Sequence, residues 1–175
     1  VLQTQDHPQF KTYGEELKWL TTDKTRMKWV ANTIKDISSS GNTLILVDRI
    51  SAGEILEEQI EDAVFVSGST KNTDRKEQYD EISTATNKVI IATYGVAAVG
   101  INIPRIFNLV LIEPGKSFVR VIQSIVRGIR KAEDKDYVQV WDITSTCKYA
   151  KRHLTERKRY YREAKYPHTV TKVDI

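Results

Sequence analysis

Gln123, Arg127 and Arg130 are separated by four and three residues. At 100° per residue that spacing puts an amide and two guanidiniums on one helix face. Such a set suits a chain of phosphates, because the planar guanidinium fork takes phosphate oxygens two at a time and opposes charge developing in phosphoryl transfer. On spacing alone it suits equally a solvated basic face paired with carboxylates one turn away. The upstream elements bear on that choice. Residues 88–93 read as a strand, 93–104 as a polar turn punctuated by Gly95 and Gly100, and 107–112 as a second strand leading toward the Gln123 helix. Two neighbouring parallel strands would deliver these groups to one edge of a sheet, and the carboxyl edge of an open α/β sheet is where loops offer N–H groups and helix starts to ligands. Gly100, two residues before Asn102, reads as a place where backbone approaches a ligand, beside its ordinary reading as a turn glycine.

The rest of the chain alternates in the same way. Thr22 or Asp23 N-caps a helix ending near Ser38, whose apolar positions Met27, Val30, Ala31, Ile34 and Ile37 recur at three and four residues. Residues 43–47 are apolar on both faces, as a central parallel strand must be. A helix over about 51–60, a strand over 63–66 ending at Ser67-Gly68, a helix from Thr73 or Asp74 to about 83, and a last strand over 137–143 follow. This order predicts an α/β fold, a parallel sheet with helices on both faces. Residues 1–20 show no clear period and read as a connector from an upstream domain, 21–146 as the α/β domain and 147–175 as an extension.

With 175 residues, 40% hydrophobic and 29% charged, the chain is of ordinary globular composition rather than disordered. No apolar run approaches the roughly 18 residues needed to span a bilayer, no signal pattern is visible, and Cys147 alone excludes a disulfide scaffold. The expectation is an intracellular, cytoplasmic protein with no membrane partner. His7, His153 and His168 lack ligand spacing, and no metal site is expected. The net charge of +4 is uneven: residues 147–175 hold nine basic and three acidic groups, the rest 18 and 20. The extension reads as a helix to about Lys165 with an apolar stripe of Cys147, Ala150, Leu154 and Tyr161. Around that stripe lie Lys148, Lys151, Arg152, Arg157, Lys158, Arg159 and Arg162, with Tyr149, Tyr160 and Tyr166 among them. Cations interleaved with aromatics suit a nucleic-acid backbone with bases available to stack, and equally a solvated helix whose tyrosines pack inward.

Gly115-Lys116-Ser117 mimics the end of a phosphate-binding loop, but the glycine required five residues before Gly115 is replaced by Val110, inside a strand. No Asp-Glu pair follows a strand as a Mg²⁺ site would require. By itself, then, the chain is not expected to hydrolyse ATP.

In order, Ala92-Thr93-x-Gly95, Gly100-Ile101-Asn102-Ile103-Pro104 and Gln123-x-x-x-Arg127-x-x-Arg130 resemble motifs V and VI of superfamily 2 helicases. Residues 44–49 and Val66-Ser67-Gly68 resemble two further motifs of that family. The resemblance covers about residues 21–143 and implies the second of two RecA-like domains, which acts on ATP and Mg²⁺ held mainly by the first. It implies that Ser67, Gly68, Thr93 and Arg49 face nucleic acid, that Gly100 and Asn102 face the nucleotide, and that Arg127 and Arg130, with Gln123, reach its phosphates as arginine fingers. Lys151, Arg152 and Arg159 of the basic helix would add to the DNA grip. Asn102 stands where many members carry Asp, Val99 where the RNA helicases carry Arg, and Ser124 and Val126 depart from the RNA-helicase form of motif VI. The whole is most similar to the phage recombination and repair helicases, which remodel branched DNA such as forks, Holliday junctions and R-loops. The sequence leaves open a duplex translocase without strand separation, and a non-enzymatic nucleic-acid-binding module.

Overall fold

A computed structural model describes residues 2–4, 7–66, 87–98, 106–115, 122–126 and 138–174. In chain order the elements are β1 (Leu2–Thr4), α1 (Tyr13–Thr22), α2 (Lys24–Ser38), β2 (Thr43–Val47), α3 (Ile50–Gln59), β3 (Val64–Val66), β4 (Val89–Thr93), α4 (Tyr94–Ala98), β5 (Asn108–Ile112), β6 (Gln139–Ser145), α5 (Lys148–Glu163) and β7 (Lys172–Asp174). Residues 122–126 form a further helical turn.

Every strand pairing is parallel, and the sheet runs β3-β4-β2-β5-β6-β1-β7. Because side chains alternate along a strand, each central strand feeds two cores. Leu44, Leu46, Ile90, Ala92, Leu109 and Leu111 point to one face, which α4 and the 122–126 turn cover with Tyr94, Val96, Ile122, Ile125 and Val126. Ile45, Val47, Val89, Ile91, Val110 and Ile112 point to the other, covered by Met27, Val30, Ile34 and Ile37 of α2 and by Ala52 and Leu56 of α3. Helices therefore lie on both faces, as the alternation predicts. Asp23 caps α2 through a carboxylate accepting from Arg26 N at 3.0 Å.

Three findings go beyond the sequence reading. Residues 13–22, within the stretch read largely as a connector, form α1. Thr12 Oγ1 accepts from Glu15 N, and Glu15 Oε2 accepts from Lys11 N, both at 3.2 Å, a capping box closed one residue early. Leu20 of α1 then meets Cys147 and Ala150 of α5, with Phe10 and Trp19 against them. Second, β1 and β7 extend the sheet at the β6 edge, Leu2 opposite both Thr144 and Lys172. Third, α4 starts directly after Thr93, where a turn was expected. The helix expected from Thr73 or Asp74 to about 83 lies outside the described residues.

Candidate functional site

All strands of the parallel sheet end at the same edge. Val47 of β2 stands opposite Thr93 of β4, and Leu46 stands opposite Leu111 of β5, so Asp48-Arg49, Thr93 and Glu113-Pro114 emerge side by side. Thr93 caps α4: its Oγ1 accepts from Val96 N at 3.3 Å. Arg49 occupies the N-cap position of α3 without a side-chain cap bond. Its Nη2 donates to the Gly14 carbonyl at 3.4 Å, while its buried Nε has no hydrogen-bond partner. Burial raises the Asp48 carboxyl above its ordinary range, with Arg49 opposing. Burial first, then the neighbouring Asp48 and Glu113 charges, push the Tyr13 hydroxyl up to about 12.

Beneath this edge lie two buried ion pairs. Arg26 of α2, with no exposed surface, binds Glu113 Oε1, and Thr144 Oγ1 donates to Glu113 Oε2 at 3.2 Å. Burial raises the Glu113 carboxyl, and the Arg26 and Arg157 charges oppose that shift. Glu113 has φ of 45°, a left-handed conformation that costs a non-glycine residue unless its surroundings hold it. Arg157 of α5 grips both oxygens of Asp142, Nε to Oδ2 at 2.7 Å and Nη2 to Oδ1 at 2.9 Å, and Nη1 donates to the Pro114 carbonyl at 2.5 Å. Tyr161 OH donates to Asp142 Oδ2 at 2.8 Å. Arg157 is fully buried, which corrects its assignment to the basic surface. Desolvation works against its charge, but bidentate pairing with Asp142 outweighs it and raises the guanidinium's affinity for its proton.

The N-terminus of α5 is capped from another element. Glu16 of α1 accepts from Tyr149 N through Oε1 and from Ala150 N through Oε2, both at 2.9 Å. Tyr149 OH donates to the Lys11 carbonyl at 2.8 Å, and the Lys148 and Arg152 cations sit 5.5 and 5.8 Å from the Tyr149 ring centre. The outward face of α5 carries exposed Lys148, Lys151, Arg152, Arg159 and Arg162. Lys148, Arg152, Arg159 and Arg162, at intervals of four, seven and three, lie along one stripe about 21 Å long at 1.5 Å per residue. Arg159 meets Glu163 at 3.3 Å, both side chains more than 60% exposed, so that pair contributes little. Because Tyr149 and Tyr161 are engaged with Lys11 and Asp142, the stripe offers charge rather than those rings.

Of the residues singled out in the sequence, Arg49 and Thr93 both lie at the sheet edge, Gln123 is half-buried on the 122–126 turn, and Lys151, Arg152 and Arg159 are exposed on α5. Ser67, Gly68, Gly100, Asn102, Arg127 and Arg130 lie outside the described residues. Glu16, Glu113 and Asp142 were not anticipated. The Thr12-x-x-Glu15 spacing was the available signal for α1, and hence for Glu16 on its inner face. Among the described residues no glycine loop cradles phosphates, Glu113 is bound to Arg26 and Thr144, and Asp48 sits half-buried beside Arg49. No helix among the described residues is long and apolar enough to cross a membrane.

Comparison with known proteins agrees with this geometry. Residues 25–132 match the model of the helicase conserved C-terminal domain. The ATP-dependent DNA helicase UvsW of Enterobacteria phage T4 is 28% identical over 155 residues, covering 86% of this chain and 31% of that protein. Putative helicase 22 of the Sulfolobus islandicus filamentous virus is 28% identical over 137 residues, 76% of this chain and 24% of that protein. The chain thus spans a third or less of the length of these relatives. The crystal structure of T4 UvsW superposes with a TM-score of 0.84 at 24% identity, covering 99% of this chain and 40% of that one, and shares its fold.

Proposed function

The chain belongs to the helicase conserved C-terminal domain family, and from that premise we propose that it is the C-terminal motor domain of an ATP-dependent DNA helicase. Its RecA-like sheet closes on an N-terminal RecA-like domain that holds most of the ATP and Mg²⁺. The observation that carries this reading is the shared sheet edge, where Arg49 and Thr93 emerge side by side, with the 122–126 turn that bears Gln123 packed on the same core as Tyr94.

ATP, when bound, supplies the phosphoanhydride whose cleavage drives the cycle. Arg127 and Arg130 stabilise the charge on the transferring phosphoryl group, and Gln123 orients polar groups beside it. Gly100 and Asn102 line the nucleotide side. Arg49, Ser67, Gly68 and Thr93 hold a DNA strand by its backbone, so closing and opening the cleft moves that strand. The cationic stripe of α5, with Lys151, Arg152 and Arg159, grips the DNA outside the cleft. Branched DNA is the proposed substrate: forks, Holliday junctions and R-loops met in recombination and repair. Without its partner domain the chain is inactive as an ATPase.

Strand displacement by the full-length polypeptide on forked duplex, Holliday junction and R-loop tests this reading, with blunt duplex as the reference. Faster turnover of branched substrates supports it. ATP-driven movement along duplex with no strand displacement makes the domain part of a translocase instead.

A further inference from the structure

Arg157 sits in the apolar seam of α5, between Leu154 and Tyr161, and bonds in two directions. Two of its nitrogens hold the carboxylate of Asp142 on β6, and the third donates to the Pro114 carbonyl just past the end of β5. Glu113, the residue before, is held from the other side by Arg26 of α2 and Thr144 of β6. The turn at Glu113-Pro114 is therefore clamped by two fully buried arginines, at a φ of 45° that a glutamate keeps only under such constraint.

Tyr94 supplies a second link. It follows Thr93 directly, is fully buried, and packs in one core with Ile122, Ile125 and Val126. Ile122 and Val126 of the 122–126 turn also line one cavity with Asp142, Leu154 and Tyr161, beside the inner face of α5. Arg157, bonded to both Asp142 and Pro114, thus stands between the turn that leaves β5 and the cavity lined by the 122–126 turn. Packing α5 onto the sheet does not require it, because an apolar side chain of similar volume fills such a seam without the desolvation cost of a buried charge. Gripping DNA does not require it either, since the cations of the outer stripe are exposed on the opposite face.

We propose that Arg157 is a positioning residue for ATP hydrolysis: by holding Pro114 and Asp142 it fixes the wall of the cavity that the helical turn carrying Gln123 lines, and so the place of that turn relative to the element that begins at Thr93. This rests on the reading that the Gln123 turn faces nucleotide and the Thr93 edge faces DNA. The tail helix then has two working faces. The outer cations hold DNA, and the inner arginine ties that helix to the nucleotide-facing side of the domain, so the grip on DNA and the rate of hydrolysis are coupled through one side chain.

The test is steady-state ATP hydrolysis by the full-length protein, with and without DNA, below the melting range of every variant. The variants are Arg157→Lys, Tyr161→Phe, Leu154→Ala and Arg130→Ala. Lysine keeps the charge but loses the fork, so Arg157→Lys should lower DNA-stimulated kcat about tenfold or more, since ångström-scale misplacement near the chemistry costs up to ~100-fold. ATP KM and DNA Kd should stay within about twofold, as expected of a group that contacts neither ligand. Tyr161→Phe, which removes one bond to Asp142, should shift kcat in the same direction by about two- to fivefold. Leu154→Ala loosens the same seam without touching the turn, and should leave kcat within about twofold. Unchanged kcat in Arg157→Lys, or an equal loss in Leu154→Ala, overturns the inference. Arg130→Ala separates the two levels. If it retains activity, the finger reading itself fails. If it is inactive while Arg157→Lys is fully active, only the positioning role fails.

Discussion

Replacing Glu16 by alanine removes the cap of a helix that lies more than 130 residues away in the chain. Glu16 is fully buried, and its two carboxylate oxygens accept from Tyr149 N and Ala150 N at 2.9 Å each. Hydrogen bonds to a charged group contribute about 1.5–3 kcal/mol apiece, so the pair is worth roughly 3–6 kcal/mol before offsets. Against this stands the cost of burying the carboxylate, visible in its raised pKa, which the deletion relieves. The net expectation is a loss of about 2–4 kcal/mol, above an ordinary surface cap because two N–H groups are left inside. Glu16→Gln keeps one acceptor and should lose about half as much. Urea unfolding gives the magnitude, and limited trypsin digestion after Lys151 and Arg152 reports whether α5 frays first. If both variants unfold within about 0.5 kcal/mol of wild type, and α5 stays equally protected, the capping argument is wrong.

Removing one partner of the buried Arg26–Glu113 pair should be worse than removing both. Arg26→Met strands the Glu113 carboxylate and should cost about 3–5 kcal/mol, while Arg26→Met with Glu113→Gln recovers part of that loss in denaturant melts. Asp48 gives a pH signature. Its folded pKa is raised above the unfolded value, so the stability linked to its protonated form is lost as pH climbs from about 4 through the folded pKa. Asp48→Asn removes that slope, and its stability relative to wild type should grow from pH 4 to pH 7; a difference that stays flat or shrinks contradicts the burial argument. Neutralising Lys151, Arg152 and Arg159 together should reduce the slope of log K against log salt for duplex DNA by about 2.7, at about 0.9 per phosphate contact. An unchanged slope would mean that these three cations do not touch DNA.

Much of the scaffold was legible. Thr43–Val47 is buried at every position, and Leu44 to Val47 are apolar, because both of its faces are covered, and α2 announces itself through Asp23 and the three-four recurrence of Met27, Val30 and Ile34. The two short strands beyond β6 were not legible. Leu2–Thr4 and Lys172–Asp174 have three residues each and no pattern of their own; what makes them strands is the backbone of β6 and of each other. Helix α1 hid behind polar residues on its inner face, Glu16 and Thr21, which are buried for capping and packing rather than for apolarity. Arg157 was illegible for a related reason. Among six other cations of α5 it reads as solvated, and only partners on other elements, Asp142 and the Pro114 carbonyl, make its burial tolerable.

In the proposed function the arginines following Gln123 act on nucleotide across a domain cleft. DNA-stimulated ATP hydrolysis by the full-length polypeptide, wild type against Arg130→Ala, tests it most directly when DNA affinity is measured in parallel. Arg130→Ala should lower kcat by about 10³-fold or more, the usual worth of an arginine finger, with DNA Kd nearly unchanged. Full hydrolysis by Arg130→Ala would contradict it.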